Sequence, residues 1–521
     1  MAARTRWVAG SFLVVTIANG VAAASPVQVK VDAGLLEGSR FGTTPGGAFK
    51  GIPYAAAPAG DWRWKPPRPA PPWTGTRSAH ALGPVCPQPD TWPRIRRRVA
   101  TLLGGDPDLV PPPRPISEDC LSLNVWTPNL AGKAKLPVMV WLHGGGFTIG
   151  SGDDEAAALA PHGVVVVTLN YRLGLLGFLA HPALTRESEH ASSGNYGLLD
   201  QLEALRWVQR NIAAFGGDPT RVTIFGHSSG ADAVLQLLAS PLARGLFQRA
   251  VAQSSAGGET LALARAEAQG VELAARLEAP TANPLPTLRA ANLERLLSVA
   301  PGGFEAVTDG WLLPDAVPRL LAAEQPHAVP LVLGATANEW VILAQAFPPP
   351  KDRDGYRALL LQAGEARLER LLALYAPVDD DVLTVATRYL GDRNFVCPTR
   401  HVAVQRRTRT WLYLVSAPPA LGPAGVRFAG FHGSDLRLLF GVDLGAPLGE
   451  VGERVGAAMR RYWVRFATTG DPNQPGLPEW PTYQGANPQH LELGDPIRVV
   501  AGLGRPGCDV LDEAQDEARA R

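Results

Sequence analysis

No charge of one sign dominates this sequence: 49 lysines and arginines stand against 48 aspartates and glutamates over 521 residues. Affinity for a polyanion comes largely from neutralising phosphates, so nucleic-acid binding is disfavoured. Long apolar runs are missing beyond the N-terminus. The stretch Gly163–Leu169 has only strand length, and nothing later reads as membrane-spanning. No Asn-x-Ser/Thr acceptor occurs, so glycosylation is not expected. The four cysteines fit no zinc spacing, and nothing resembles a metal or dinucleotide site. Internal repeats and long linkers are lacking too. What remains is a globular composition, 46% apolar and 19% charged.

The N-terminus differs from the rest. Arg4 and Arg6 precede an apolar run from Trp7 to Val21 that ends in Ala22-Ala23-Ala24. A basic region, a short hydrophobic region and a small-residue cleavage site are the parts of a secretory signal. Residues 1–24 are therefore expected to be removed, leaving one domain over 25–521 in a secreted or periplasmic protein. Export places an even number of cysteines in an oxidising compartment, where disulfides form. We expect the pairs Cys86–Cys120 and Cys397–Cys508. The first closes a loop worth about 3–4 kcal/mol in the chain-entropy account.

Val27–Val31 and Leu35–Arg40 read as a hairpin, and Pro53–Pro115, rich in Pro and Trp, as irregular surface loop. Its run Arg94-Ile95-Arg96-Arg97-Arg98 reads as a solvated face rather than a binding patch. Short apolar runs follow at Leu121–Thr127, Pro137–Leu142, Val164–Leu169, Val222–Phe225, Ala250–Ala252 and Leu331–Leu333. Such runs suit parallel strands buried on both faces. Between them, Leu198–Ala213 carries apolar residues at helical spacing, with Gly216-Gly217-Asp218-Pro219 as its stop. The alternation predicts an α/β fold with a mostly parallel central sheet and right-handed crossovers. From about 259 to 400 the text is mostly helical, as at Leu261–Leu277 and Tyr356–Tyr375. This excursion is expected to lie over one end of the sheet.

Gly226-His227-Ser228-Ser229-Gly230 follows a predicted strand and opens a predicted helix. A serine hydroxyl attacks only when a base takes its proton and a sharp turn presents its oxygen, which this context supplies. A second motif, His143-Gly144-Gly145-Gly146-Phe147, ends another strand. Glycines leave backbone N–H groups open to a developing oxyanion. A phosphate loop would want Lys-Ser/Thr next, and Phe147-Thr148-Ile149 offers neither.

In such a fold the partners follow as serine, acid, histidine. His401 sits in a helical stretch and His490 in a strand-like one, which leaves His432 in the loop Phe428–Gly433. Glu339 leaves the apolar strand Leu331–Leu333 through Ala335-Thr336-Ala337-Asn338 and is the best acid; Asp309 and Asp392 suit turns or caps.

With these residues in view, the chain resembles the type-B carboxylesterase/lipase family, which includes bacterial para-nitrobenzyl esterases and cholinesterases. The matching text covers nearly all of residues 25–521. It includes Phe49–Ala55, Ser117–Asn124, the glycine run, Asn170-Tyr171-Arg172, Gly194–Gly197, the elbow, Asn338-Glu339, Phe431–Asp435 and Thr469–Asn473. The resemblance implies an α/β-hydrolase fold and a triad of Ser228, Glu339 and His432. It further implies an oxyanion hole of Gly145, Gly146 and Ser229, no cofactor and no metal, and a small-molecule ester as substrate. Cys86 and Cys120 match the family's first disulfide, and Cys397 and Cys508 a C-terminal one. Two departures stand out. His227 replaces a usual Glu, and Val110-Pro111-Pro112-Pro113 stands where cholinesterases carry a choline-binding Trp. The expectation is a serine carboxylesterase without choline specificity. The alternatives are a long-chain lipase or polyester hydrolase, and a non-catalytic cholinesterase-like binding protein.

Overall fold

A computed structural model describes residues 26–42, 45–130, 134–153, 155–299, 303–324, 326–421, 428–442, 445–504 and 506–520. The expected signal segment 1–24 lies outside them. β1 (Val27–Val31) and β2 (Gly34–Phe41) form the predicted hairpin; β3 (Gly46–Pro53) extends it, and β4 (Thr76–Ser78) pairs with β2. The centre holds β5 (Ser122–Thr127), β6 (Leu136–Leu142), β7 (Val165–Leu169), β8 (Gly217–His227) and β9 (Arg249–Gln253). A separate parallel pair is made by β10 (Leu261–Ala262) and β11 (Val307–Thr308). β12 (Leu331–Thr336), β13 (Thr410–Val415), β14 (Gln489–Leu493) and β15 (Arg498–Ala501) complete the main sheet. It has 13 strands, ordered β1-β2-β3-β5-β7-β6-β8-β9-β12-β13-β14-β15 with β4 beside β2. Pairing is parallel from β7 to β14 and antiparallel towards both edges, except that β4 pairs with β2 in parallel.

Burial on both faces explains the near-continuous apolar strands. In β6, Val138, Val140 and Leu142 pack in one cluster with Leu198, Leu202 and Leu205 of the helix Tyr196–Asn211. Met139 and Trp141 point the other way, joining Met459, Trp463 and Phe466 of the helix Gly449–Thr469. Strand alternation thus divides one short sequence between two cores. No helix among the described residues is long and apolar enough to cross a membrane.

Three local expectations need correction. Within Pro53–Pro115, Trp92–Leu102 is a helix, started by Pro93 in its first turn. The arginine run rides on it: Arg94, Arg97 and Arg98 are exposed, while Arg96 pairs with Glu155 at 2.5 Å. Val99, Leu102 and Leu103 pack with Ile342, Phe428 and Phe431, an apolar face that the arginines hid. Tyr356–Tyr375 is two helices, Arg353–Leu361 and Leu368–Leu374, because Gly364 takes φ +101° between them. The predicted helix Leu261–Leu277 begins only at Leu263, its first two residues pairing as β10.

Both expected disulfides are present. Cys86–Cys120 and Cys397–Cys508 have Cα separations of 5.0 and 4.9 Å. The first encloses Gln88, whose amide exchanges two hydrogen bonds of 2.9 Å with the backbone of Gly150. That anchors the far end of the glycine-rich loop.

Candidate active site

Ser228 stands between β8 and the helix Ser229–Ala239, with φ 57° and ψ −129°. A non-glycine residue holds such a conformation only when its surroundings over-determine it. Here the Ser228 N–H donates to the Gln253 carbonyl at 2.8 Å, and its own carbonyl accepts from Ala231 and Asp232 as the helix begins. The flanking glycines are required by close approach. A Cβ on Gly230 would lie 2.1 Å from the Leu142 carbonyl oxygen, and one on Gly226 2.4 Å from that of Gly230.

The glycine-rich loop leaves β6 and presses onto this turn. A Cβ on Gly144 would meet the His227 carbonyl oxygen at 2.5 Å and the Ser228 Cβ at 3.1 Å. Gly145 and Gly146 follow with φ of +120° and +62°, and the Phe147 N–H donates to Ser229 Oγ at 3.2 Å. His143 is fixed beneath. It stacks on Tyr171 with ring centroids 4.3 Å apart, and the Tyr171 hydroxyl donates to the His143 carbonyl at 2.6 Å. Burial holds the His143 imidazole down at about 4, so it stays neutral near pH 7. The segment carrying Tyr171 is held by Arg172, whose Nε and Nη2 donate to the buried Asp200 at 2.8 and 2.7 Å.

Glu339 and His432 arrive on two loops stitched together at the carboxyl ends of β12 and β13. The Ala337 N–H donates to the Val415 carbonyl at 2.9 Å and the Asn338 N–H to that of Gly430 at 2.7 Å. The Asn338 side-chain amide donates to the Ala429 carbonyl at 2.6 Å. His432 Nδ1 then lies 2.6 Å from Glu339 Oε2. The buried carboxylate is held on its other side, where Oε1 accepts from Ser254 Oγ and the Thr336 N–H, both at 2.7 Å. The His432 ring is packed between Phe395, at 4.6 Å between centroids, and His227, at 4.5 Å. Phe395 belongs to a π-helical turn, Asp392–Val396, that ends at the disulfide-bonded Cys397. Such turns recur at functional sites because they displace one side chain from the helical register.

Glu339 and His432 meet, and the His432 ring lies against that of His227, the residue before Ser228. Ser228 and Ser229 stand at the elbow and Gly145 and Gly146 on the loop against it, while Glu339 and His432 are hydrogen-bonded to each other. Asp309 instead holds a turn through the Trp311 and Leu313 N–H groups, and Asp392 accepts from the Tyr375 hydroxyl. His401 is in a helix and His490 in β14. Sequence reasoning missed Ser254, which follows β9 and supports Glu339. It also gave no role to Gln253, or to Asp435 at the end of the matching stretch Phe431–Asp435.

The Carboxylesterase family's pattern matches residues 25–510. The chain belongs to that family. Among curated carboxylesterase relatives, the fumonisin B1 esterase of Sphingopyxis macrogoltabida is 35% identical over 484 residues, 88% of this chain and 85% of its own. Mouse liver carboxylesterase 1 is 34% identical over 523 residues, 91% of this chain and 90% of its own. The solved structure of a PNB esterase superposes with a TM-score of 0.79 at 30% identity, over 93% of this chain and 99% of the other. The carboxylesterase fold and activity expected from the sequence are thus established: the protein hydrolyses carboxylic esters.

The loop glycines differ in what they tolerate. A Cβ on Gly145 would sit 2.1 Å from the Ile149 carbonyl oxygen, whereas one on Gly146 would meet nothing within 4 Å. Gly145→Ala is expected to displace the loop and, if the Gly145 N–H serves as the oxyanion donor that its sequence context predicts, to cut kcat by about 10²-fold or more. Gly146→Ala adds only the left-handed backbone penalty, about 1 kcal/mol of stability. Steady-state kinetics beside thermal melts of the two variants separate these outcomes.

Proposed function

We propose that this carboxylesterase works through an acyl-enzyme formed on Ser228, with His432 as base and Glu339 as its orienting acid. The observation that carries the reading is the 2.6 Å contact between His432 Nδ1 and one oxygen of a carboxylate whose other oxygen accepts from Ser254 and Thr336. With Nδ1–H donating to Glu339, the Nε2 lone pair is free to take the Ser228 proton. The alkoxide oxygen attacks the ester carbonyl while the N–H groups of Gly145, Gly146 and Ser229 receive the developing oxyanion. His432 then gives its proton to the leaving alcohol, and water, deprotonated by the same imidazole, releases the acid.

The substrate proposed is a small carboxylic ester, in keeping with the esterase relatives. One specific reading is disfavoured: the run Val110–Pro113 brings no aromatic ring for a quaternary ammonium. We also propose that residues 1–24 direct export, a reading supported by two disulfides in one chain.

A fluorophosphonate probe tests the nucleophile. The protein is expected to gain one phosphonyl adduct on the peptide containing Ser228 and to lose p-nitrophenyl ester hydrolysis in step with labelling. An adduct on another residue, or full activity after labelling, would overturn the assignment.

A further inference from the structure

His227 is 6% exposed, and its ring lies against that of His432. Its Nε2 has no hydrogen-bond partner and lies 3.7 Å from Oδ1 of Asp435, which is fully buried. Asp435 is itself tied down: Oδ2 accepts from the Gln253 amide at 2.8 Å and the Tyr413 hydroxyl at 3.1 Å, and Oδ1 from the Leu436 N–H at 2.9 Å. Gln253 is also the residue whose carbonyl receives the Ser228 N–H. Gly433 also borders the ring, since a Cβ there would be in van der Waals contact, 3.8 Å, with His227 Cε1. The side chains thus form a row, Glu339, His432, His227, Asp435, with a carboxylate at each end and two imidazoles between.

We propose that His227 and Asp435 form a second imidazole–carboxylate pair that positions the His432 ring and sets its electrostatic surroundings. His227 is thereby a positioning residue for ester hydrolysis. The proposal rests on the reading that His432 is the base.

When His432 holds the serine proton it is a cation. Glu339 stabilises that cation by direct contact, and Asp435 acts on it from the far side of His227. The groups facing this row are Glu339, Asp435 and the Tyr413 hydroxyl, besides the two imidazoles. Burial and the neighbouring His432 hold His227 well below the usual histidine range, while burial pushes Asp435 up. A neutral ring therefore stands beside the imidazolium as it forms. A second carboxylate at position 227 would instead face Asp435 and have to share a proton with it.

The test is the pH dependence of kcat/KM for p-nitrophenyl acetate, with kcat and KM resolved, in full-length wild type and three variants. Asp435→Asn removes the distant negative charge, destabilises the His432 cation and should lower the midpoint of the acid limb by about half a unit or more. His227→Ala should lower kcat about tenfold with KM nearly unchanged, because the interaction it removes is made mainly in the transition state. His227→Gln, which keeps a planar polar group facing Asp435, should restore most of that loss. A purely structural role would not move the midpoint. An unmoved midpoint in Asp435→Asn overturns the proposal. Should that variant fail to fold, His227→Ala with kcat within twofold of wild type overturns it. A parallel Ser228→Ala control keeps the two readings apart: an active control sinks the triad itself, whereas an inert control with an unmoved midpoint sinks only the role of His227.

Discussion

Ser228→Ala is expected to lower kcat by about 10⁵- to 10⁶-fold while leaving the melting temperature close to that of wild type. On the proposed mechanism serine and histidine act as one unit, so without an oxygen at this position the proton transfer to His432 would have no donor. The loss is not total, since backbone donors that bind the oxyanion still favour attack by water, by about 10³-fold over solution. The variant should fold. Ser228 holds its place through main-chain hydrogen bonds to Gln253, Ala231 and Asp232, which alanine retains. Burst and steady-state kinetics on p-nitrophenyl acetate measure the effect, and turnover within tenfold of wild type would refute the nucleophile.

Glu339→Gln should be nearly as severe, about 10⁴-fold in kcat, for a different reason. The orientation of the new amide is dictated by what surrounds Oε1, where Ser254 Oγ and the Thr336 N–H both donate. The amide oxygen must face those donors, so its NH₂ group faces His432 Nδ1. That nitrogen then has to accept, which moves the imidazole proton to Nε2, the atom required to be empty. The geometry survives while the tautomer is wrong. Glu339→Asp keeps the charge and provides the contrast: it should retain more activity than the isosteric amide. The reverse ranking would show that length, not charge, matters at this position.

The parts of this site that were legible in the sequence are those specified locally. A strand, a Gly-x-Ser-x-Gly turn and a helix occupy consecutive residues, and the glycine run is set by backbone sterics within five. Glu339 could be found because it leaves an apolar strand by a short loop, and His432 because the other downstream histidines, His401 and His490, sit in a helix and a strand. Ser254 could not. It reaches Glu339 only because β9 and β12 are neighbours in the sheet, with Gly334 opposite Gln253, a register that no single segment records. Asp435 was missed likewise, since its partners come from β9 and β13. The helix Trp92–Leu102 was obscured for a compositional reason: its arginines and prolines suggested loop, although Ile95, Val99 and Leu102 kept helical spacing. In Tyr356–Tyr375 the helical period holds on both sides of Gly364, whose positive φ breaks it into two helices.

The link between Cys397 and Cys508 makes a closed covalent ring of residues 397–508, and His432 lies inside it whereas Ser228 and Glu339 do not. A protease that nicks the backbone anywhere within that ring therefore cannot shed the histidine-bearing piece. Under non-reducing conditions a singly cut chain keeps its full mass, and only thiol treatment separates the fragments.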